Sequence, residues 1–526
     1  MIHKHLRRLA SLAATACLIC TSLADAWAAK NPAESYPTTT PIKHVVVIFQ
    51  ENVSFDHYFA TYPNATNPAS EPQFTPLPNT PSVNNLLSGG LLTENPNSAQ
   101  PFRLDRPQAV TCDQDHNYTP EQVAFDLGAM DKFPENTGQG NSVAFPCPDY
   151  GHNAGIVMGY YDGNTVTAIW NYAQHYAMSD NSYNTQFGPS APGAVNLVSG
   201  NTSGAVYISG GSTSGLISDG GTTGALIGDA RPGLDDCNPT GKTYVSFPSG
   251  VSVGTLLNQA NGGSGYTWGW FQGGFAPTSA PGVIPAVCAA ASTNLAGTTA
   301  DYVAHHQPFQ FFPDTNNQHH LRPSSAAAIG TSDQANHQYD LNDFFVALTN
   351  GHLPAVSFLK AKAIDDGHPG YSDPLDEQTF LVNTINTIQA SSYWKDTAII
   401  IAYDDSDGWY DHQMDPLVNQ SQVTDDQLTG AGLCGTNTNS TFQGRCGYGP
   451  RTPLLVISPY AKQNYVDHAI TDQSSILKFI EDNWNLGRIP GSADAKAGSL
   501  NGLFEFTGAK RAAKLPLDPS TGLLEP

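Results

Sequence analysis

Charge is scarce in this 526-residue chain: 13% of its residues are charged, with 23 Lys plus Arg against 46 Asp plus Glu. A formal charge of −23 and a pI near 4.8 exclude a broad electrostatic grip on nucleic acid or anionic lipid, although local basic pockets remain open. Beyond the first thirty residues there is no Cys-x-x-Cys spacing to suggest zinc, and no stretch approaching 18 apolar residues, so no transmembrane segment is expected in the mature chain. The 49 glycines and 38 prolines keep no fixed period, which excludes collagen and solenoid arrays and predicts long ordered loops. What is plentiful is apolar surface. At 40% hydrophobic residues, 10% of the chain being aromatic, it can bury a large core.

Residues 1 to 28 have a positive start (Lys4, Arg7, Arg8), an apolar run from Leu9 to Leu23 and a small-residue site at Ala26-Trp27-Ala28. This is the layout of a secretory signal peptide, and the run is short for the alternative, a spanning helix. Arg7-Arg8 leaves the twin-arginine route open beside the general one. Cleavage after Ala28 removes three basic residues and Asp25, taking the charge from −23 to −25, and sends the protein to the periplasm or the exterior. Six cysteines stay behind: Cys112, Cys147, Cys237, Cys288, Cys434 and Cys446. An even count in an exported chain predicts disulfides rather than buried thiols. Nearest-neighbour pairing is expected, because each bridge then closes a loop within one segment.

Four continuous apolar runs, Val45 to Phe49, Ala355 to Leu359, Ala398 to Tyr403 and Leu454 to Ser458, read as strands covered on both faces. Helical patterns lie between them, around Val166 to Tyr176 and Ser474 to Trp484. The alternation predicts an α/β fold in a single domain over residues 29–526. Residues 200 to 300, rich in Gly, Ser and Thr with β-like pieces at Ala205 to Ser209 and Tyr266 to Phe271, are expected to form an insertion of hairpins and loops.

In open α/β sheets ligands gather at the carboxyl ends of the strands. The run Val45 to Phe49 leads into Gln50-Glu51-Asn52, and Ala398 to Tyr403 leads into Asp404-Asp405-Ser406-Asp407-Gly408. Acids delivered to one edge repel one another and titrate high unless a cation neutralises them; solvated loop acids are the plainer alternative. In Phe187-Gly188-Pro189-Ser190-Ala191-Pro192-Gly193, two prolines and two glycines fix the backbone around one hydroxyl. Such a serine is either a turn residue or a nucleophile whose pKa a metal lowers. It does not sit in a Gly-x-Ser-x-Gly elbow. Among 16 histidines, His116, the pair His305-His306, His368 and His412 lie in polar motifs. Each alone reads as a surface or capping residue; several around one pocket would bind an anion and supply a general acid.

These motifs carry a resemblance. "IKHVVVIFQENVSFDHYFATYP", "MGYYDG", "FGPSAPG", "YVAHHQPFQFF", "DGHPGYS", "AIIIAYDDSDGWYDH" and "GYGPRTPLLVISPYAKQNYVDH" follow in order from about residue 42 to 485. Together they resemble the bacterial phosphoesterase family that joins phosphatidylcholine-type phospholipases C with secreted acid phosphatases. The resemblance implies an alkaline-phosphatase-like α/β/α sandwich with a large, mostly parallel sheet. It implies that Glu51, Asn52, Ser190, Asp404 and Asp405 hold one divalent metal and that Ser190 is the nucleophile, giving a phosphoserine intermediate. It also implies that Asn52, His116, His305, His306 and His368 surround the phosphoryl oxygens, with His116, His306 and His368 in catalytic roles and His116 first choice to protonate the leaving oxygen. Oxygen ligands favour Ca²⁺, Mg²⁺ or Mn²⁺, with Zn²⁺ or Fe also admitted.

Three departures point to the acid phosphatase branch. Phospholipase relatives place threonine in a "PTxPNR" context where this chain has serine in "GPSAPG", they read "DEnGG" where it has "DDSDG", and many continue into extra C-terminal β domains. The expected substrates are therefore small phosphorylated molecules, with phospholipid head groups as the alternative and Tyr266, Trp268 and Trp270 as candidate cage residues for a quaternary ammonium. A non-catalytic secreted binding protein using the Gly/Ser/Thr-rich middle leaves the acidic strand ends unexplained. Because histidine gains charge as pH falls, activity is expected to be better at mildly acidic pH than at pH 8.

Overall fold

A computed structural model describes residues 31–141, 147–209, 215–218, 223–414, 416–436, 443–508 and 512–525. The expected signal peptide lies outside the described residues. Eight strands form the main sheet: β1 (His44–Gln50), β2 (Ala177–Ser179), β3 (Trp268–Gln272), β4 (Gln338–Asp340), β5 (Val356–Lys360), β6 (Thr397–Tyr403), β7 (Leu454–Ile457) and β8 (Tyr465–Asp467). Their order is β4-β3-β5-β1-β6-β7-β2-β8. All neighbours are parallel except at β7, which runs antiparallel to both β6 and β2. The chain is thus an α/β protein with a large, mostly parallel central sheet.

Strands β1 (HVVVIFQ) and β6 (TAIIIAY) are buried at every position, as expected of interior strands whose two faces are both covered. The helices Ser190–Ser199 and Gln473–Trp484 pack on one another, and Thr167–His175 packs on Pro374–Ala390. The Gly/Ser/Thr-rich region builds a second, five-stranded sheet from Ser203–Ser209, Leu216–Ser218, Thr223–Leu226, Arg231–Pro232 and Tyr244–Ser246. One expectation needs correcting. The piece at Tyr266 to Phe271 does not belong to inserted hairpins: Trp268–Gln272 is an interior strand of the main sheet, between β4 and β5. Its five residues are all buried, and the surrounding Gly/Ser/Thr composition had masked a run apolar enough for two-sided burial.

The same burial removes Trp268 and Trp270 as ligand cages. Both are inaccessible, pack on Phe309 with ring centroids 4.7 and 6.0 Å apart, and spend their indole N–H groups on Asn258 and Gln272. Tyr266 precedes β3, at the opposite end of that strand from the candidate site. The three disulfides join nearest neighbours: Cys112–Cys147, Cys237–Cys288 and Cys434–Cys446. The first tethers the loop that carries His116.

Candidate active site

β1 and β6 lie side by side with Gln50 opposite Tyr403, so Glu51-Asn52 and Asp404-Asp405 leave the sheet at the same edge. Backbone bonds lock the two exits together. Asp404 N–H donates to Gln50 O (3.1 Å), Val53 N–H to Asp405 O (3.0 Å) and Asn52 N–H to Asp404 Oδ1 (3.0 Å). Asn52 turns the chain at φ +62°, a left-handed conformation that asparagine tolerates. Its side-chain amide donates to Asp407 Oδ1 at 3.0 Å. The acidic loop is folded on itself: Asp405 N–H donates to Asp404 Oδ1 (2.8 Å) and Asp407 N–H to Asp405 Oδ1 (2.7 Å).

Ser190 begins the helix Ser190–Ser199, and its hydroxyl lies 3.1 Å from Glu51 Oε2 and 3.2 Å from Asp405 Oδ2. The helix reaches the acidic loop this closely because residue 193 is glycine. A Cβ there would stand 2.1 Å from the Asp404 carbonyl oxygen. The turn before the serine is held from behind by Glu121, which accepts from Gly188 N–H (2.9 Å) with one oxygen and from Ser406 Oγ (2.8 Å) with the other. Burial pushes the Glu121 carboxyl up to about 8.

The acids crowd one another. Burial and, behind it, the neighbouring Asp404 push Glu51 and Asp405 well above the usual carboxylate range. Asp407 is raised by burial and by Asp113, and Asp366 by burial. Asn52 Oδ1 and Asp404 Oδ2 are buried with no hydrogen-bond partner. Two partnerless oxygens beside the converging Glu51, Ser190 and Asp405 oxygens make a donor set that fits a hard divalent cation.

The histidines stand around this cluster. His306 Nδ1 is 3.1 Å from Glu51 Oε1, and the His305 and His306 rings are 4.3 Å apart. His116 and His368 face each other at 6.0 Å; His116 Nδ1 bonds Gln114 O (2.9 Å) and His368 Nδ1 bonds Pro369 O, each leaving Nε2 for another partner. Their charges diverge. Burial lowers His116, but Asp405, Asp407 and Asp113 outweigh it and raise the ring well above its ordinary value. Burial drives His305 and His306 well below, helped for His305 by Arg231 and for His306 by His305, and burial lowers His368 too. The histidines therefore do not shift together: burial lowers His305, His306 and His368, while neighbouring carboxylates raise His116. His412 belongs elsewhere, bonded through Nδ1 to Asp56 Oδ2 at 2.6 Å in a buried group with Asp411 and Arg451.

Several participants escaped the sequence reading. Lys360, the last residue of β5, contacts Glu51, and Arg231 from the smaller sheet contacts His305. Asp229 holds the Ala191 N–H at 3.0 Å, and the Tyr371 ring stacks 4.3 Å from His368. Lys360 had a usable signal, since a lysine ending an apolar run at a sheet's carboxyl edge has no solvent to serve. Conversely, a Gly-x-Ser-x-Gly pattern at Gly250-Val251-Ser252-Val253-Gly254 is structural. Ser252 caps the helix Val253–Gly263 by accepting from Thr255 N–H.

A wide, largely parallel sheet thus delivers paired acids and a helix-initial serine to one edge. The Phosphoesterase family matches residues 42–487, and the chain belongs to it. A non-hemolytic phospholipase C of Burkholderia pseudomallei is 23% identical over 465 residues, covering 85% of this chain and 56% of that protein. The phospholipase C B of Mycobacterium tuberculosis is 23% identical over 493 residues, 91% of this chain and 80% of its own. The chain thus spans little more than half the length of the first. A solved Vibrio parahaemolyticus protein in the alkaline phosphatase superfamily overlays 61% of this chain and 62% of its own at TM-score 0.28 and 13% identity. An overlay that loose carries no argument.

Proposed function

We propose that this protein is an exported phosphoric ester hydrolase that works through Ser190 and one divalent metal ion. The single observation behind this reading is the convergence of Ser190 Oγ with Glu51 Oε2 and Asp405 Oδ2, beside the partnerless oxygens of Asn52 and Asp404. Glu51, Asn52, Ser190, Asp404 and Asp405 would hold the ion, whose chemistry is to stabilise the serine alkoxide and neutralise charge on the phosphoryl oxygens. Ser190 attacks phosphorus in line, breaking the ester bond and leaving a phosphoserine that water then hydrolyses. His116, protonated, donates to the departing ester oxygen. His306 and His368 spend Nδ1 on Glu51 and on Pro369 O, so the Nε2 of each donates to a non-bridging oxygen once the ring takes up a second proton, which the phosphoryl charge favours, and Asn52 with His305 completes that shell.

Of the two finer readings, phospholipase C chemistry has the wider support, since the curated relatives named above carry that name. Phosphomonoesterase activity is the second reading, favoured by serine in "GPSAPG" and by "DDSDG". The test measures phosphate release from p-nitrophenyl phosphate beside diacylglycerol release from phosphatidylcholine micelles, across pH 4 to 8. Lipid cleavage supports the first, phosphate release alone the second, and neither overturns the hydrolase.

Two smaller effects follow from the geometry. His116 is raised by its carboxylate neighbours, so it is charged below its folded pKa and loses its proton as pH rises through that value. In a kcat profile the wild type should fall on the alkaline side, and in His116→Asn that limb should disappear together with roughly 10²- to 10⁴-fold of the rate. An unchanged limb would remove His116 from the acid role. Glu121→Ala, which frees the backbone behind Ser190, should lower kcat by roughly 10- to 100-fold with KM little changed. A pure rise in KM would count against a positioning role.

A further inference from the structure

Glu51 has two oxygens and uses them in different directions. Oε2 faces Ser190, while Oε1 is in contact with the Lys360 ammonium and lies 3.1 Å from His306 Nδ1. On that second side stands Asp366, whose Oδ1 accepts from His368 N–H at 3.1 Å and whose Oδ2 is buried without a partner. One oxygen of Glu51, one of Asp366 and one nitrogen of His306 lie within 4.8 Å of one another. Two carboxylates and an imidazole are a sufficient donor set for a divalent ion in their own right. The cluster therefore has two lobes that share Glu51, and a lysine meets the second at Glu51 Oε1.

Lys360 is 1% exposed, so its ammonium has given up water for carboxylates. Its contact is with Glu51 Oε1, the oxygen that also faces His306. A divalent ion and one ammonium would carry three positive charges against the four carboxylates Glu51, Asp366, Asp404 and Asp405, so the ammonium offsets negative charge that a single ion leaves over, while His116 Nδ1 lies 3.3 Å from Asp407 Oδ1.

We propose that the Lys360 ammonium is the second cation of a two-cation centre: seated on Glu51 Oε1, the oxygen that this carboxylate turns toward His306, it keeps a second ion from using Glu51 together with His306 and Asp366, so the chain takes one divalent ion where its donors alone would take two. This rests on the reading that Glu51, Ser190 and Asp405 hold a metal. Lys360 acts through Glu51, as a positioning and charge-balancing residue.

The experiment is a metal count. Stripped wild type, Lys360→Ala and Asp366→Asn are titrated with Mn²⁺ and with Zn²⁺ by calorimetry, and the bound ion is measured by elemental analysis after gel filtration. Wild type is expected to bind one equivalent, Lys360→Ala two, and Asp366→Asn one, because the lobe that Asp366 lines holds no metal in the native chain. Two equivalents in wild type, one in a folded Lys360→Ala, or loss of the ion in Asp366→Asn would overturn the proposal while leaving the metal-and-serine reading intact. Should Lys360→Ala fail to fold, the wild-type and Asp366→Asn counts still decide. No ion in wild type would overturn both.

Discussion

Ser190→Ala should lose roughly four to six powers of ten in turnover, the scale at which removing a nucleophile collapses a group of residues that act as a unit. The change deletes one oxygen from a residue whose neighbours are fixed without it. The backbone of the turn is held by Glu121 and Asp229, and Gly193 still lies against Asp404. Folding and thermal stability should therefore change little. Two readouts separate loss of the nucleophile from loss of the ion: phosphate release falls to background, and the metal content falls by much less than the activity. A labelled substrate quenched in acid should leave phosphate on wild-type Ser190 and none on the variant. Turnover near the wild-type level would end the proposal, because among the described residues only the Ser190 hydroxyl bonds both Glu51 and Asp405.

Removing the metal should have the second large effect, on activity and on stability together. Chelation should abolish turnover, and one divalent ion per chain should restore it. Glu51, Asp366, Asp405 and Asp407 all have folded-state pKa values raised above those of the unfolded chain, about 3.9 for Asp and 4.3 for Glu. The sign follows directly. Between those unfolded values and the raised folded ones, the folded state holds protons that the unfolded state has released, so stability falls as pH rises, by about 1.4 kcal/mol per pH unit for each such proton. A bound cation lowers the folded values and cancels the slope. The gap in Tm between metal-loaded and metal-free protein should widen from pH 5 to pH 8. A gap that stays constant, or full activity after chelation, would show that the cluster needs no ion.

Much of the site was legible because strands and their exits are local. The apolar runs at β1 and β6 name the central strands, and the acids that follow them have to emerge at one edge once the strands are parallel neighbours. The disulfides were legible for a similar reason, each joining neighbouring cysteines across one segment of 12 to 51 residues. What was hidden depends on tertiary environment. Nothing local to "YVAHHQP" says that desolvation keeps His305 and His306 neutral, and nothing local to "QDH" says that Asp405 and Asp407 raise His116. Arg231 reaches the site through a second sheet whose composition reads as loops. Trp268 and Trp270 looked available only because β3 was not recognised as an interior strand.

The pairing of Gln50 with Tyr403 also bears on how the lineage can diverge. A one-residue deletion within β1 or β6 would turn the strand's side chains to the opposite face of the sheet and carry its acids out of the cluster. Selection can therefore tolerate changes of length between the motifs and not inside these two strands. At 23% identity, insertions and deletions relative to distant cousins should gather in the smaller sheet and the long loops, while residues 44–52 and 397–407 keep their spacing through otherwise complete turnover of sequence.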